Sequence, residues 1–418
     1  MKYPAYLSPA PAMLVFSVAA WAPLASADFI EDSKASLQLR NMYFNRDFRE
    51  DSGQSKRDEW AQGFLLKVES GYTEGTVGFG LDTLGLLGVK LDSSPDRVDT
   101  GMLPTGSDGR ADDEFSSLGL TAKMRISKTD LKVGTFTPTL PVLKHNDGRI
   151  VPQTFEGAMI TSTEISKLSL TGGQLSNVKQ RNSTDEQDLQ LNNKNKRFSG
   201  AVAADYLNLV GVEAQLSDRL SLSYFAAELD DVYRQHFAGL KYGRKLGEGT
   251  LNADIRFFTS SDYGRSAGGE IDNQAFNGML SYKQSGHGLG LGWQLMSGDT
   301  GFAYVDGTDP YLINFSQIND FAEAKERSWQ VRYDYDFASI GIPGLSVMTR
   351  YISGTNAKVK GAAGDGNEWE RNSEISYVFQ NGMLKNLSVR YRNASYRSGF
   401  SRDLDESRFI IGYTISLL

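Results

Sequence analysis

The residues with the clearest chemical pattern in this chain are cations set at two-residue spacing. Arg390 and Arg392 flank Tyr391, and Lys123 and Arg125 flank Met124. Arg40, Lys67, Lys132, Arg350 and Arg408 each sit in a similar alternating run. In extended backbone, residues two apart share a face. A guanidinium stays charged at any working pH and offers a forked donor set that matches a carboxylate. A file of such groups gives an anion successive weak sites without a deep trap, which is what conduction needs. The chemistry implied is reversible anion binding, not bond making.

Covalent chemistry has little to work with. The chain has no Cys and three His, namely His145, His236 and His287. A hydrolase needs a nucleophile activated by a positioned base. His287 falls in a tight turn, and no partner motif stands beside His236 after its loop. Three scattered His also make no zinc set, so no metal and no cofactor is expected. Gly288, Gly290 and Gly292 lie at alternating strand positions with no helix start after them, which argues against a phosphate loop. The formal charge of −7 argues against nucleic acid as a general partner.

The elements that carry these cations are exported strands. Lys2 is the only charge in residues 1–27, an apolar stretch runs over 13–24, and Ala25-Ser26-Ala27 supplies an A-x-A cleavage site. The expected domains are a signal peptide, 1–27, and a single unit, 28–418. No later segment reaches the ~18 uninterrupted apolar residues of a membrane helix. An exported chain without such a helix is soluble or crosses the membrane as a closed barrel. Leu118, Leu120, Ala122, Met124 and Ile126 alternate with Gly119, Thr121, Lys123, Arg125 and Ser127. Phe409, Ile411, Tyr413 and Ile415 do the same near the end. Alternation alone does not separate a barrel from a sandwich. Strand length and the links separate them. Short links fall near 73–75, 128–130, 217–219, 245–249, 285–288, 340–344 and 381–385. Long polar links fall near 47–59, 92–114, 137–155, 176–197, 260–272, 298–327, 355–369 and 398–405. Short turns at one end and long loops at the other mark an outer-membrane barrel. The expected fold is all-β, a transmembrane antiparallel β-barrel of about 18 strands. Residues 198–206 are assigned to the fourth long loop, since otherwise the strand parity fails. With 43 Gly, 19 Tyr and 22 Phe, the composition suits many strands, tight turns and interfacial aromatics.

Parity then assigns faces. With Leu387, Val389 and Tyr391 outward, Arg390 and Arg392 face the lumen, and Arg40, Arg332, Arg350 and Arg408 do likewise. Lys67, Lys123, Arg125 and Lys132 pass the same test. An Arg turned to lipid at mid-membrane costs roughly 2–4 kcal/mol, which favours the inward placement. In a closed ring the first and last strands are neighbours, so Arg40, Arg408, Arg390 and Arg392 share one wall. The opposing reading is that these Arg pair with lumenal acids and merely line a wet pore. Residues 137–155 hold three Pro and several apolar groups, too many for a solvated loop, and are expected to fold inward as a constriction loop. Lys144, His145, Asn146, Asp147 and Arg149 then edge the narrowest point. The link 298–327, with Tyr304, Asp306 and Asp309, is also expected inward, its acids facing the basic wall.

Several stretches resemble the OprD family of outer-membrane carboxylate channels of pseudomonads. They are FIEDSKASLQLRNMYFNRDFRE (29–50), ESGYTEGTVGFGLDTLGLLGVKLD (69–92), NDGRIVPQTFEG (146–157), ELDDVYRQHFAGL (228–240) and ERSWQVRYDYDFASIGIPGLSVMTRY (326–351). The resemblance implies an 18-strand barrel with a monomeric pore, in some cases a loose homotrimer. It implies a basic ladder here carried by Arg40, Lys67, Lys132, Arg350, Arg390, Arg392 and Arg408, and a third loop that narrows the pore with Arg149. The segment GDTGFAYVDGTDPYLINF (298–315) is more similar to the OccK branch, which takes aromatic and other cyclic carboxylates, than to the branch that takes basic amino acids. Small organic anions are the expected partners, with outer-membrane lipid and lipopolysaccharide as surroundings. A channel for basic amino acids and small peptides, a general porin without a binding site, and a loop-displaying receptor with a closed barrel stay open as alternatives.

Overall fold

The computed structural model describes residue 29 and residues 31–49, 53–362 and 364–418, so the export segment 1–27 lies outside the described residues. Eighteen strands close into one antiparallel barrel. In chain order they are Lys34–Phe48, Lys56–Glu69, Val77–Asp92, Glu114–Ile126, Thr129–Phe136, Thr154–Ser162, Leu168–Lys179, Leu207–Ser217, Leu220–Leu229, Tyr233–Leu246, Gly249–Asp262, Asp272–Gln284, His287–Ser297, Arg327–Asp336, Leu345–Ala357, Gly366–Val378, Ser388–Ser398 and Leu404–Ser416. The first and last strands pair from Ser36↔Ser416 to Phe48↔Leu404, which closes the ring. A closed ring leaves no unpaired backbone edge, the requirement hydrocarbon imposes on a sheet.

Residues 198–206 belong to the fourth outer loop. There a short hairpin, Glu186–Gln190 with Ala203–Ala204, rides on the barrel wall without interrupting the ring. Two links depart from the pattern read above. The fifth outer link is only residues 230–232, and a further tight link occupies 163–167. At the first, Val232 N–H donates to the Leu229 carbonyl and Asp231 takes a left-handed conformation, φ 55°. Neither link contains Gly or Pro, so neither is punctuated in the sequence.

The exterior is apolar as alternation requires. Leu118, Leu120, Leu289 and Leu291 are exposed on it. Tyr391, Phe409, Tyr43 and Trp60 stand side by side in register over four consecutive strands, forming a stretch of aromatic belt. The interior is not uniformly polar. Phe225, Phe237 and Phe258 point inward and are buried. Phe237 and Phe258 lie 4.7 Å apart between ring centroids, and Phe302 from the seventh outer loop meets Phe258 at 5.1 Å. Leu143, Phe155, Val305 and Leu312 join the same cluster. The apolar-outward rule therefore fails on these strands. The reason is that the in-folded loops need an apolar base, and the barrel's core lies inside its lumen on this side.

Candidate permeation site

Two outer loops, the third and the seventh, fold inward and meet. The third loop contains a small hairpin, Thr139–Leu140 with Leu143–Lys144. It meets the seventh outer loop, 298–326, directly. Asp309 N–H donates to the Lys144 carbonyl at 3.0 Å, Lys144 Nζ lies 3.5 Å from the Asp309 carboxylate, and Gln153 Nε2 donates to the Asp306 carbonyl at 3.2 Å. The third loop docks on the wall at Gly63, where a Cβ would come within 2.3 Å of the Ile150 carbonyl oxygen. Only glycine lets the loop backbone approach so closely.

The tip of that loop is held by the first and last strands. Arg40 donates to both Asp147 carboxylate oxygens, at 2.7 and 3.2 Å, and to the Arg149 carbonyl at 2.7 Å. Asn146 Oδ1 accepts from Gly148 N–H at 2.9 Å and shapes the turn. Arg408 donates to the Gly148 carbonyl of the third loop and the Gln317 carbonyl of the seventh, both at 3.3 Å. This guanidinium is buried and paired with Glu406, so it ties both loops to the wall and does not stand free in the lumen as the ladder reading expects.

Below this rim, reaching the periplasmic turn at Ser285–Gly286, lies a lumenal cavity of about 730 Å³ lined by Arg332, Arg350, Arg390 and Arg392. Register explains the clustering. Arg332 stands opposite Arg350, and Arg392 opposite Arg408. Glu374 serves both Arg390 and Arg392, at 3.4 and 3.1 Å, and Arg332 pairs with Asp334 at 2.7 Å. Arg350 donates to the neutral Asn372 side chain at 2.7 Å, and among the described residues no acid forms an ion pair with it. With Lys283, five cations line this cavity against Glu248, Asp334, Asp336 and Glu374, an excess of one positive charge.

The profile of the outer membrane porin, OprD family, matches residues 27–417. The chain belongs to the OprD family of outer-membrane porins. It is 40% identical over 414 residues to the porin-like protein GalP of Pseudomonas putida, covering 98% of both chains. It superposes on Pseudomonas aeruginosa OccK9 with a TM-score of 0.90 at 47% identity, over 93% of this chain and 100% of that one. It also superposes on Pseudomonas aeruginosa OpdK, whose structure was solved with vanillate, with a TM-score of 0.87 at 43% identity over 93% and 100%. The porin therefore resides in the Gram-negative outer membrane, short turns to the periplasm and long loops outward.

Not every cation expected in the ladder stands free in the porin's lumen. Lys123 is buried, 2.6 Å from Asp82 and from the Ser70 carbonyl, and lies over the Tyr72 ring. Arg125 sits at the periplasmic end, bound twice by Asp130 and stacked on Tyr72. Lys67 and Lys132 do face open lumen, in a second cavity shared with Arg40. In the third loop, Arg149 does not edge the lumen. Its side chain is buried against Phe44 and donates to the Thr100 carbonyl at 2.7 Å, so only its backbone reaches Arg40. Burial pulls its guanidinium well below the usual arginine range. Tyr304 is likewise buried, donating to Asp320 at 3.0 Å, and burial raises its phenol. Asp306 binds Asn192 at 2.6 Å and Asp309 binds Lys144, so these acids join loop to loop and do not face the basic wall. Burial raises the Asp309 carboxyl despite Lys144 and Arg181. The sequence pattern does not single out Arg181, Glu406 and Arg46, which pack behind the rim. Arg46 donates to Glu406 at 2.8 Å, and burial with Arg408 nearby pulls Arg181 down to about 10. Arg46 and Glu406 were open to the parity test, whereas nothing in a polar loop marked Arg181.

Proposed function

We propose that the porin passes small organic monocarboxylates, aromatic and cyclic ones preferred, along the wall formed by Arg350, Arg390, Arg392 and Arg40. The observation that carries this reading is that Arg390 and Arg392 share one acid, Glu374, while Arg350 donates to a neutral amide. A carboxylate entering there supplies the missing counter-charge and accepts hydrogen bonds from groups fixed in register. Arg40 also ties the third loop from this wall, whereas Arg408, buried and paired with Glu406, holds both loops in position. The similarity to a channel solved with vanillate supports an aromatic carboxylate over a basic amino acid.

The test is uptake into proteoliposomes. Benzoate influx should exceed arginine influx, and replacing Arg390 and Arg392 together with Gln should lower benzoate influx roughly tenfold, the effect of losing about 1.4 kcal/mol of ion attraction. Arginine entering faster than benzoate would favour a basic-amino-acid channel. Benzoate influx unchanged by the double replacement would leave a general pore.

A further inference from the structure

Resting on the carboxylate reading above, we infer that the porin has a separate subsite for the ring of an aromatic carboxylate, in the cavity beneath the third loop. This cavity, about 640 Å³, differs in kind from the arginine cavity. Leu65, Leu84, Phe136 and Met159 line it from the wall, and Pro138 and Leu140 of the third loop roof it. Register places Lys67 directly opposite Leu84, and Lys132 directly opposite Met159. Each cation is thus paired with an apolar side chain on the same lumenal face.

The cations at the rim are available. Asp82 is already engaged by the buried Lys123 at 2.6 Å, which leaves Lys132 more distant at 3.5 Å and more than a third exposed. Lys67 is more than half exposed, with only the similarly accessible Glu69 beside it. Ion pairs of that kind contribute little and exchange readily. Arg40 stands at the upper rim, committed to Asp147. An apolar floor with exposed ammonium groups at its edge matches a molecule with one flat apolar part and one anionic end. A short aliphatic carboxylate gains from the lysines alone, whereas a ring also removes Leu84 and Met159 from water. The arginine cavity has a smaller apolar lining, Tyr335, Val347 and Met348, set among four acids and five cations, so ring selection belongs to this side of the lumen and charge selection to the other.

Single-channel current block in planar bilayers, with acetate and benzoate as probes, tests the subsite. The variants are Leu84→Thr and Met159→Thr, made separately so that a folding defect in one leaves the other as the test. Each is accepted only if its open-channel conductance in chloride matches the unaltered porin. The expected result is that benzoate block weakens roughly tenfold in each, equivalent to about 1.4 kcal/mol, while acetate block is unchanged. Benzoate block that persists in both variants overturns the ring subsite alone. Equal weakening for acetate and benzoate also overturns it, since the residues would then act on charge or pore shape. Absence of benzoate block in the unaltered porin overturns the subsite together with the carboxylate reading.

Discussion

Arg392 and Arg408 stand directly opposite one another on the last two strands, both on the lumenal face. Like charges placed so repel, and an uncompensated pair would weaken the sheet. Each therefore has an acid. Glu374 lies 3.1 Å from Arg392, and Glu406 accepts from Arg408 Nε at 2.7 Å. Neither acid is dedicated. Glu374 also serves Arg390, and Glu406 also serves Arg46. The wall holds its cations in place with fewer acids than it has guanidiniums, and that shortage is what an anion meets.

Removing the shared acid should therefore sharpen the property it restrains. Glu374→Gln frees Arg390 and Arg392 and should raise the anion-to-cation permeability ratio. Carboxylate block should tighten severalfold, by about 1 kcal/mol, as the freed guanidiniums donate charge-assisted hydrogen bonds to the anion. Single-channel titration with benzoate checks this. A weaker block would mean that Glu374 positions the arginines more than it neutralises them.

The docking of the third loop depends on Gly63. Gly63→Ala brings a methyl to 2.3 Å from the Ile150 carbonyl, a clash relieved only by moving the loop backbone. The strand Lys56–Glu69 is paired along its whole length with the first strand, so the loop is the part that yields. Conductance should rise and become noisier, while the barrel remains folded by its heat-shifted gel mobility. Unchanged conductance would show that the loop does not set the pore width.

Acid should change the constriction through Asp309. Burial raises its carboxyl above the ordinary aspartate range, with Lys144 and Arg181 opposing. The folded porin then binds this proton more tightly than the unfolded chain, so ionising Asp309 costs stability. That cost is absent below the ordinary aspartate range, grows as pH rises through it, and is complete above the raised value. On acidification the Asp309 charge is lost before those of ordinary exposed aspartates, and Lys144 is left without its partner. Anion preference should step upward as pH falls through the region just above the usual carboxylate range. Asp309→Asn should remove the step, as reversal potentials over a pH series would show.

Lys123 and Lys67 should behave in opposite ways, although both are inward cations on neighbouring parts of the wall. Lys123→Gln leaves Asp82 with only the more distant Lys132 and should destabilise the barrel by roughly 3 kcal/mol, the cost of breaking a largely buried pair, with small effect on selectivity. Lys67→Gln should leave stability within about 0.5 kcal/mol and weaken benzoate block. Urea unfolding in lipid vesicles, read beside current block, separates the two.

The sequence reveals the wall better than what fills it. Strand parity is a strict period of two, so the inward placement of Arg40, Arg350, Arg390, Arg392 and Arg408 follows from single residues. Loop side chains have no such rule. Asp306 and Asp309 read as acids facing the basic wall, yet they bind Asn192 and Lys144 on other loops. Arg149 reads as a pore cation, yet Phe44 and the Thr100 carbonyl draw it into the wall. Inward Phe225, Phe237 and Phe258 break the apolar-outward rule because loop cores within the lumen are long-range packing, invisible to local pattern. The inward fold of both loops was legible from their apolar residues, but not that Lys144 and Asp309 would join them.

The most direct test of the account is the zero-current potential of one porin in a planar bilayer separating two concentrations of potassium chloride. The positive excess around Arg350, Arg390 and Arg392 predicts a potential of the sign set by chloride, collapsing toward zero when Arg390 and Arg392 are both replaced by Gln. A potential of the sign set by potassium in the unaltered porin would contradict it.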